Sequence, residues 1–96
     1  MRREGARLMI SGPVTLANVG AVLAEGVTQL RDGARTFDLG DVTEIDSSLL
    51  AAMLSWMREA RRQQAEIDFA NLPEGLATIA RLYGVDALLP GSGAHH

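Results

Sequence analysis

Asp41-Val42-Thr43-Glu44-Ile45-Asp46-Ser47-Ser48-Leu49-Leu50 is the stretch that decides how this chain folds. Val42 to Asp46 alternates apolar and polar residues, the pattern of a half-buried strand. Ser47-Ser48 then opens an apolar helix with one stripe of Leu49, Met53, Trp56, Met57 and Ala60, which Leu50 and Leu54 widen toward a second side. A turn carrying one aspartate and two serines therefore joins a strand to a helix N-terminus. Free backbone N–H groups and the helix dipole favour an oxygen acceptor there. Two readings of the turn stand side by side. Asp46 or Ser47 caps the helix, or a phosphoryl group on Ser47 or Ser48 adds nearly two negative charges where a partner docks.

Upstream, Arg7 to Ser11 reads as a strand closed by Gly12-Pro13, with residues 2 to 5 as a ragged edge strand. Thr15 is the expected N-cap of the first helix, whose stripe is Leu16, Val19, Leu23, Val27 and Leu30. Gly20 and Gly26 each weaken that helix by roughly 1 kcal/mol relative to alanine, which points to close packing around them. Asp32-Gly33 ends it. Ala34 to Leu39 is the next strand, with Phe37 and Leu39 on one face and Asp38 on the other, and Gly40-Asp41 is expected to break it.

Downstream, Arg58, Arg61 and Arg62 sit in the last turns of the second helix, where cations complement its negative end or meet a phosphate or acidic partner. Ile67 to Ala70 is a short strand. Asn71-Leu72-Pro73 leads into a third helix with the stripe Leu76, Ile79, Ala80 and Tyr83, and Gly84 stops it. Val85 to Leu89 adds one more turn before Pro90. The order strand, helix, strand, helix, strand, helix implies right-handed crossovers and an α/β fold. The expected sheet is small and mainly parallel, with three or four strands and helices packed chiefly on one face.

Composition narrows the function. The 96 residues are 47% hydrophobic and 22% charged, enough for one core in a single domain over residues 1–90. The net charge of −3 supplies no basic field for nucleic acid. There is no cysteine, hence no disulfide and no thiolate chemistry, and all nine cations are arginine. Without lysine there is neither Schiff-base chemistry nor a phosphate-loop lysine. His95 and His96 follow Gly91-Ser92-Gly93-Ala94 and read as a tag remnant on a disordered tail, residues 91–96. No nucleophile–base pair remains for a free-standing enzyme, and no cofactor is expected. Asp38, Asp41, Glu44 and Asp46 match no metal-binding loop and read as a solvated acidic rim. The longest apolar run, Leu49 to Leu54, is far short of the roughly 20 residues of a membrane span. A cytoplasmic protein without direct membrane insertion is the expectation.

Taken together, the Ile45-Asp46-Ser47-Ser48-Leu49-Leu50 turn, the order of elements and the chain length resemble STAS domains, the sulfate-transporter and anti-sigma-antagonist family, over residues 7 to 90. Ser11-Gly12-Pro13-Val14-Thr15-Leu16 and Ile79 to Pro90 are similar to the MlaB branch of that family. The resemblance implies a non-enzymatic STAS subunit of a phospholipid-trafficking ABC transporter. Such a subunit docks on a MlaF-like ATPase within a complex that also holds permease and substrate-binding subunits, and it is peripheral to the inner membrane through that partner. Asp46 matches the family's turn aspartate. Ser47 falls where MlaB proteins carry a Ser or Thr important for ATPase contact, and Ser48 where antagonists carry the phosphorylated serine. The implied partner-binding set is Asp46, Ser47, Ser48, Leu50, Leu54 and Arg58. Leu49 stands where the family has glycine, which withholds the close approach a kinase needs. The alternative reading is an anti-sigma factor antagonist switched by serine phosphorylation.

Overall fold

In a computed structural model that describes residues 1–89, the chain forms a four-stranded sheet in the order β1-β2-β3-β4. The strands are β1 (Arg2–Glu4), β2 (Arg7–Val14), β3 (Thr36–Ile45) and β4 (Asp68–Ala70). The helices are α1 (Val19–Arg31), α2 (Ser47–Arg62) and α3 (Leu76–Leu82), followed by a 3-10 turn at Asp86–Leu88. β2, β3 and β4 run parallel and β1 is antiparallel, so the α/β sheet expected from the element order is present, with β1 as its ragged edge. Pro90 and the tail expected over residues 91–96 lie outside the described residues.

Alternation along β2 and β3 sends Leu8, Ile10, Val14, Phe37 and Leu39 into the core. Arg7 and Asp38 stand on the opposite face, where the Asp38 carboxylate accepts from Arg7 Nε at 3.0 Å and Nη2 at 2.8 Å. Helices therefore cover one face and water the other.

Two expected breaks are absent. Gly12-Pro13 does not close β2, and Gly40-Asp41 does not interrupt β3. Both pairs sit at irregularities in the β2–β3 ladder, where Leu39-Gly40 faces Ile10 and Thr43 is an extra residue between Val42 and Glu44. A bulge absorbs the misfit without ending the strand. Pro13 is tolerated because β1 reaches only as far as Met9, leaving that part of β2 without a neighbour on the β1 side among the described residues.

α1 begins later than Thr15 predicts. Thr15 to Asn18 is a turn, in which the Thr15 hydroxyl accepts from Ala17 N at 3.3 Å and the Asn18 amide oxygen from Thr15 N at 3.0 Å. The N-cap is Asn18, and Leu16, assigned to the buried stripe, is 79% exposed. Gly26 has the expected packing role: a Cβ there would overlap the Trp56 indole. Gly20 does not, since nothing lies within 4 Å of its Cβ position.

Trp56 is fully buried, and its indole N–H donates to the Leu23 carbonyl of α1 at 3.1 Å. Its ring lies 4.8 Å from Phe37 and 6.4 Å from Phe69 between centroids, so one aromatic cluster ties α2 to β3 and β4. Trp56 and Met53 are thus core residues, as their place on the apolar stripe predicts. At the other end of α1, Arg3 from β1 donates to the Gln29 carbonyl at 3.2 Å, its side-chain oxygen at 2.9 Å and the Asp32 carbonyl at 3.3 Å. This clamp satisfies carbonyls that the helix end leaves open.

Candidate functional site

Extended backbone at Asp46 (φ −141°, ψ −166°) turns β3 into α2 and leaves its carboxylate facing two free amides. Oδ1 accepts from Ser48 N at 2.8 Å, the N-cap bond of α2. Oδ2 accepts from Leu16 N at 3.0 Å, on the turn that precedes α1. One side chain therefore pins two strand-to-helix turns to each other. The Leu16 amide, then the Ser48 amide and hydroxyl, hold the Asp46 carboxyl below the usual carboxylate range. Of the two candidate caps it is Asp46 that fills the role, which leaves the hydroxyls of Ser47 and Ser48, both half-buried, without a capping duty.

Ser47 borders a groove of about 270 Å³ lined by Leu50, Ala51, Leu54, Tyr83 and Val85. Its walls are the first turns of α2 and the chain that leaves α3. The structure brings Ser47, Leu50 and Leu54 together here, but their exposures differ. Leu54 is half-buried, whereas Leu50 is 4% exposed and closes the floor, so it does not stand on the surface as expected. Arg58 lies two turns further along α2, exposed and donating to Ser55 Oγ at 2.9 Å, and does not line the groove. Arg62 pairs with Glu59 at 3.3 Å, which suits the helix-end reading of the arginine cluster.

Tyr83 was missed by periodicity. Counted on the third stripe, it is in fact 63% exposed. α3 ends at Leu82 and Gly84 takes a φ of 71°, so position 83 leaves the helical register and its ring borders the groove. Leu82, the last residue of α3, and Leu88, in the 3-10 turn that follows, are exposed as well. The signal was present in the Gly84 stop, which marks the residue before it as a cap and not a core position.

The acidic rim does not gather. Asp38 is held by Arg7, by Asn71 Nδ2 at 3.0 Å and by Gly40 N at 2.9 Å, and Asp46 by two amides. Among the described residues no group of three acidic or imidazole side chains could hold a metal ion. Nor is any helix among them long and apolar enough to cross a membrane.

The family model described as "Mlab, STAS domain" matches residues 1–90. Among solved structures, the anti-sigma factor antagonist SpoIIAA in its unphosphorylated form is similar to this chain, with a TM-score of 0.64 and 16% identity over 86% of this chain and 75% of that one. That likeness establishes a STAS fold. The crystal structure of Mglu is similar to it at a TM-score of 0.55 and 28% identity over 77% of this chain but only 19% of that one, so this chain corresponds to under a fifth of that protein. No curated protein sequence matches.

Proposed function

The chain belongs to the MlaB-type STAS family, and from that membership we propose that it is a non-enzymatic docking subunit of a phospholipid-trafficking ABC transporter. It seats on the cytoplasmic ATPase and supports that subunit's assembly or activity. The observation that carries this reading is the groove beside Ser47, an apolar depression bordered by half-buried Leu54 and exposed Tyr83. The mechanism is geometric. Asp46 fixes the turn, the Ser47 hydroxyl stands at its lip, and Leu54 and Tyr83 receive an apolar side chain of the ATPase, with Ser48 and Arg58 on the flanks.

Ser47→Glu tests it. Asp46 already supplies the cap, and an acidic group at a helix N-terminus is acceptable to the dipole, so the variant folds with its melting temperature nearly unchanged. It should weaken association with the co-expressed ATPase by tenfold or more (about 1.4 kcal/mol), because a carboxylate at the lip must be desolvated on docking. Ser47→Ala should bind nearly as well as the parent. Normal folding with parental affinity in Ser47→Glu would show that the turn is not the interface. Intact-mass spectra of native protein with a stoichiometric phosphate on Ser47 or Ser48 would instead favour the anti-sigma antagonist reading.

A further inference from the structure

β3 is ten residues long, and its two neighbours cover it unequally. β2 pairs with it from Thr36 to Ile45, whereas β4 pairs only with Thr36, Phe37 and Asp38. β4 stops because Asn71 takes a φ of 56° and Pro73 follows, carrying the chain out of the sheet. Asn71 and Gly40 both donate to Asp38 Oδ1, and this knot closes the last rung. Beyond it, Asp41–Ile45 has no strand on its β4 side among the described residues. In a parallel ladder alternate residues direct both N–H and C=O away from the paired neighbour. Thr43, the extra residue of the bulge, adds backbone that the β2 ladder does not use. The open edge is about 16 Å long at roughly 3.3 Å per residue. It borders a groove of about 650 Å³ whose far wall is Leu72, Pro73 and Glu74.

We propose that the uncovered edge of β3 at Asp41–Ile45 is a strand-addition site for an extended, basic segment of a partner protein. Backbone pairing would supply affinity, and Leu72 with the carboxylates of Glu44 and Glu74 would select the alternate side chains. Glu44 and Glu74 are exposed, line the groove and form no ion pair with any described residue, and Asp41 is exposed on the same strand. Charge also decides against a second copy of this chain. Pairing two such edges would set acidic residues against acidic residues, which is destabilising. The uncovered part of β2 beyond Met9, on the opposite side of the β2–β3 pair, is closed to the same use. On β2, Pro13 lacks a donor and its carbonyl is taken by Asn18 Nδ2 at 2.8 Å.

The test uses the whole domain and no ATPase, so it is separate from the docking reading at Ser47. The probe is a blocked heptapeptide of alternating valine and lysine. It should shift the backbone amide resonances of residues 41–45 and slow their hydrogen exchange. The same peptide N-methylated at alternate residues, or with glutamate for lysine, should do neither. The double variant Glu44→Lys, Glu74→Lys, altered only at exposed positions, should bind the lysine peptide about tenfold more weakly. The proposal is overturned if those amides do not respond at about 1 mM peptide, the weak end of recognition, or if the N-methylated peptide binds equally well. Shifts confined to the Ser47 groove would overturn it too, as would concentration-dependent self-association through the same amides.

Discussion

Asp46 does two jobs with one carboxylate, and only a side chain with two acceptor oxygens can do both. Asparagine, ordinarily as good an N-cap, keeps one acceptor and would present an N–H₂ group to the second backbone donor. Asp46→Asn should therefore lower the melting temperature by roughly 5 °C, where an isosteric change at an ordinary cap would be nearly silent. Thermal unfolding followed by circular dichroism checks this, and an unchanged midpoint would mean that the bond to Leu16 N contributes nothing. Half of this arrangement was legible beforehand. The aspartate and two serines before an apolar run identify a cap, but a single sequence does not reveal which distant amide the second oxygen finds. Leu16 was misassigned for that reason. Its N–H is held by Asp46, the chain there stays in a turn, and an apolar side chain that fits the stripe by spacing ends up in solvent.

At the scale of elements, the α1–α2 contact turns on one missing methyl group. Gly26→Ala should raise the intrinsic helix propensity of α1 by about 1 kcal/mol, yet it would drive a Cβ into the Trp56 ring. Overpacking of this kind costs about 1–3 kcal/mol, so the net effect should be destabilising. Gly20→Ala, in the same helix with open space around it, should stabilise by up to about 1 kcal/mol. Opposite signs in denaturant midpoints are the expected result, and equal signs would refute the packing account. Periodicity found the helices and their buried sides because helix and sheet periods follow from backbone geometry. It failed at Gly12-Pro13 and Gly40-Asp41, where glycine and proline serve bulges inside strands. Whether such a pair ends a strand or bends it is decided by the neighbouring strand. Tyr83 failed for a related reason, since the helix ended one residue before the stripe did.

For the whole molecule, acid is the revealing perturbation. Asp38, Asp46 and Glu59 all have lowered carboxyl pKa values: Asp38 first through Asn71, Asp46 through the Leu16 and Ser48 amides, and Glu59 through Gln63 and the arginines Arg62 and Arg31. A lowered folded-state pKa adds stability that is complete above the unfolded value of about 4 and is lost as pH falls through the folded value. Stability should be flat from neutral pH to about 5 and decline below about 4. The three groups join different elements, so the loss should be one cooperative transition. Fluorescence of Trp56, the chain's one tryptophan, and far-ultraviolet dichroism should then report the same acid midpoint. Separate midpoints would mean that the helical layer and the sheet come apart independently. The fold class, the sheet and the strand-to-helix turn at Asp46 were all legible at this scale, whereas the groove was not, because it is built from two elements distant in sequence.

Several of the bonds that hold these elements together end on the main chain. Asp46 accepts from the amides of Leu16 and Ser48, Trp56 donates to the carbonyl of Leu23, Arg3 to those of Gln29 and Asp32, and Arg35 to those of Leu30 and Ala34 at 3.0 and 2.7 Å. A main-chain partner is supplied by any residue except, for a donor, proline. Each such bond is therefore hostage to mutation at one position and indifferent to the identity of the other. In a saturation mutagenesis of the domain, position 16 should accept nearly every residue but proline, while position 46 accepts almost none. A gene built this way presents a smaller target to random drift than one held together by matched side-chain pairs, and its exposed turn at residue 16 can change freely without the fold having to change with it.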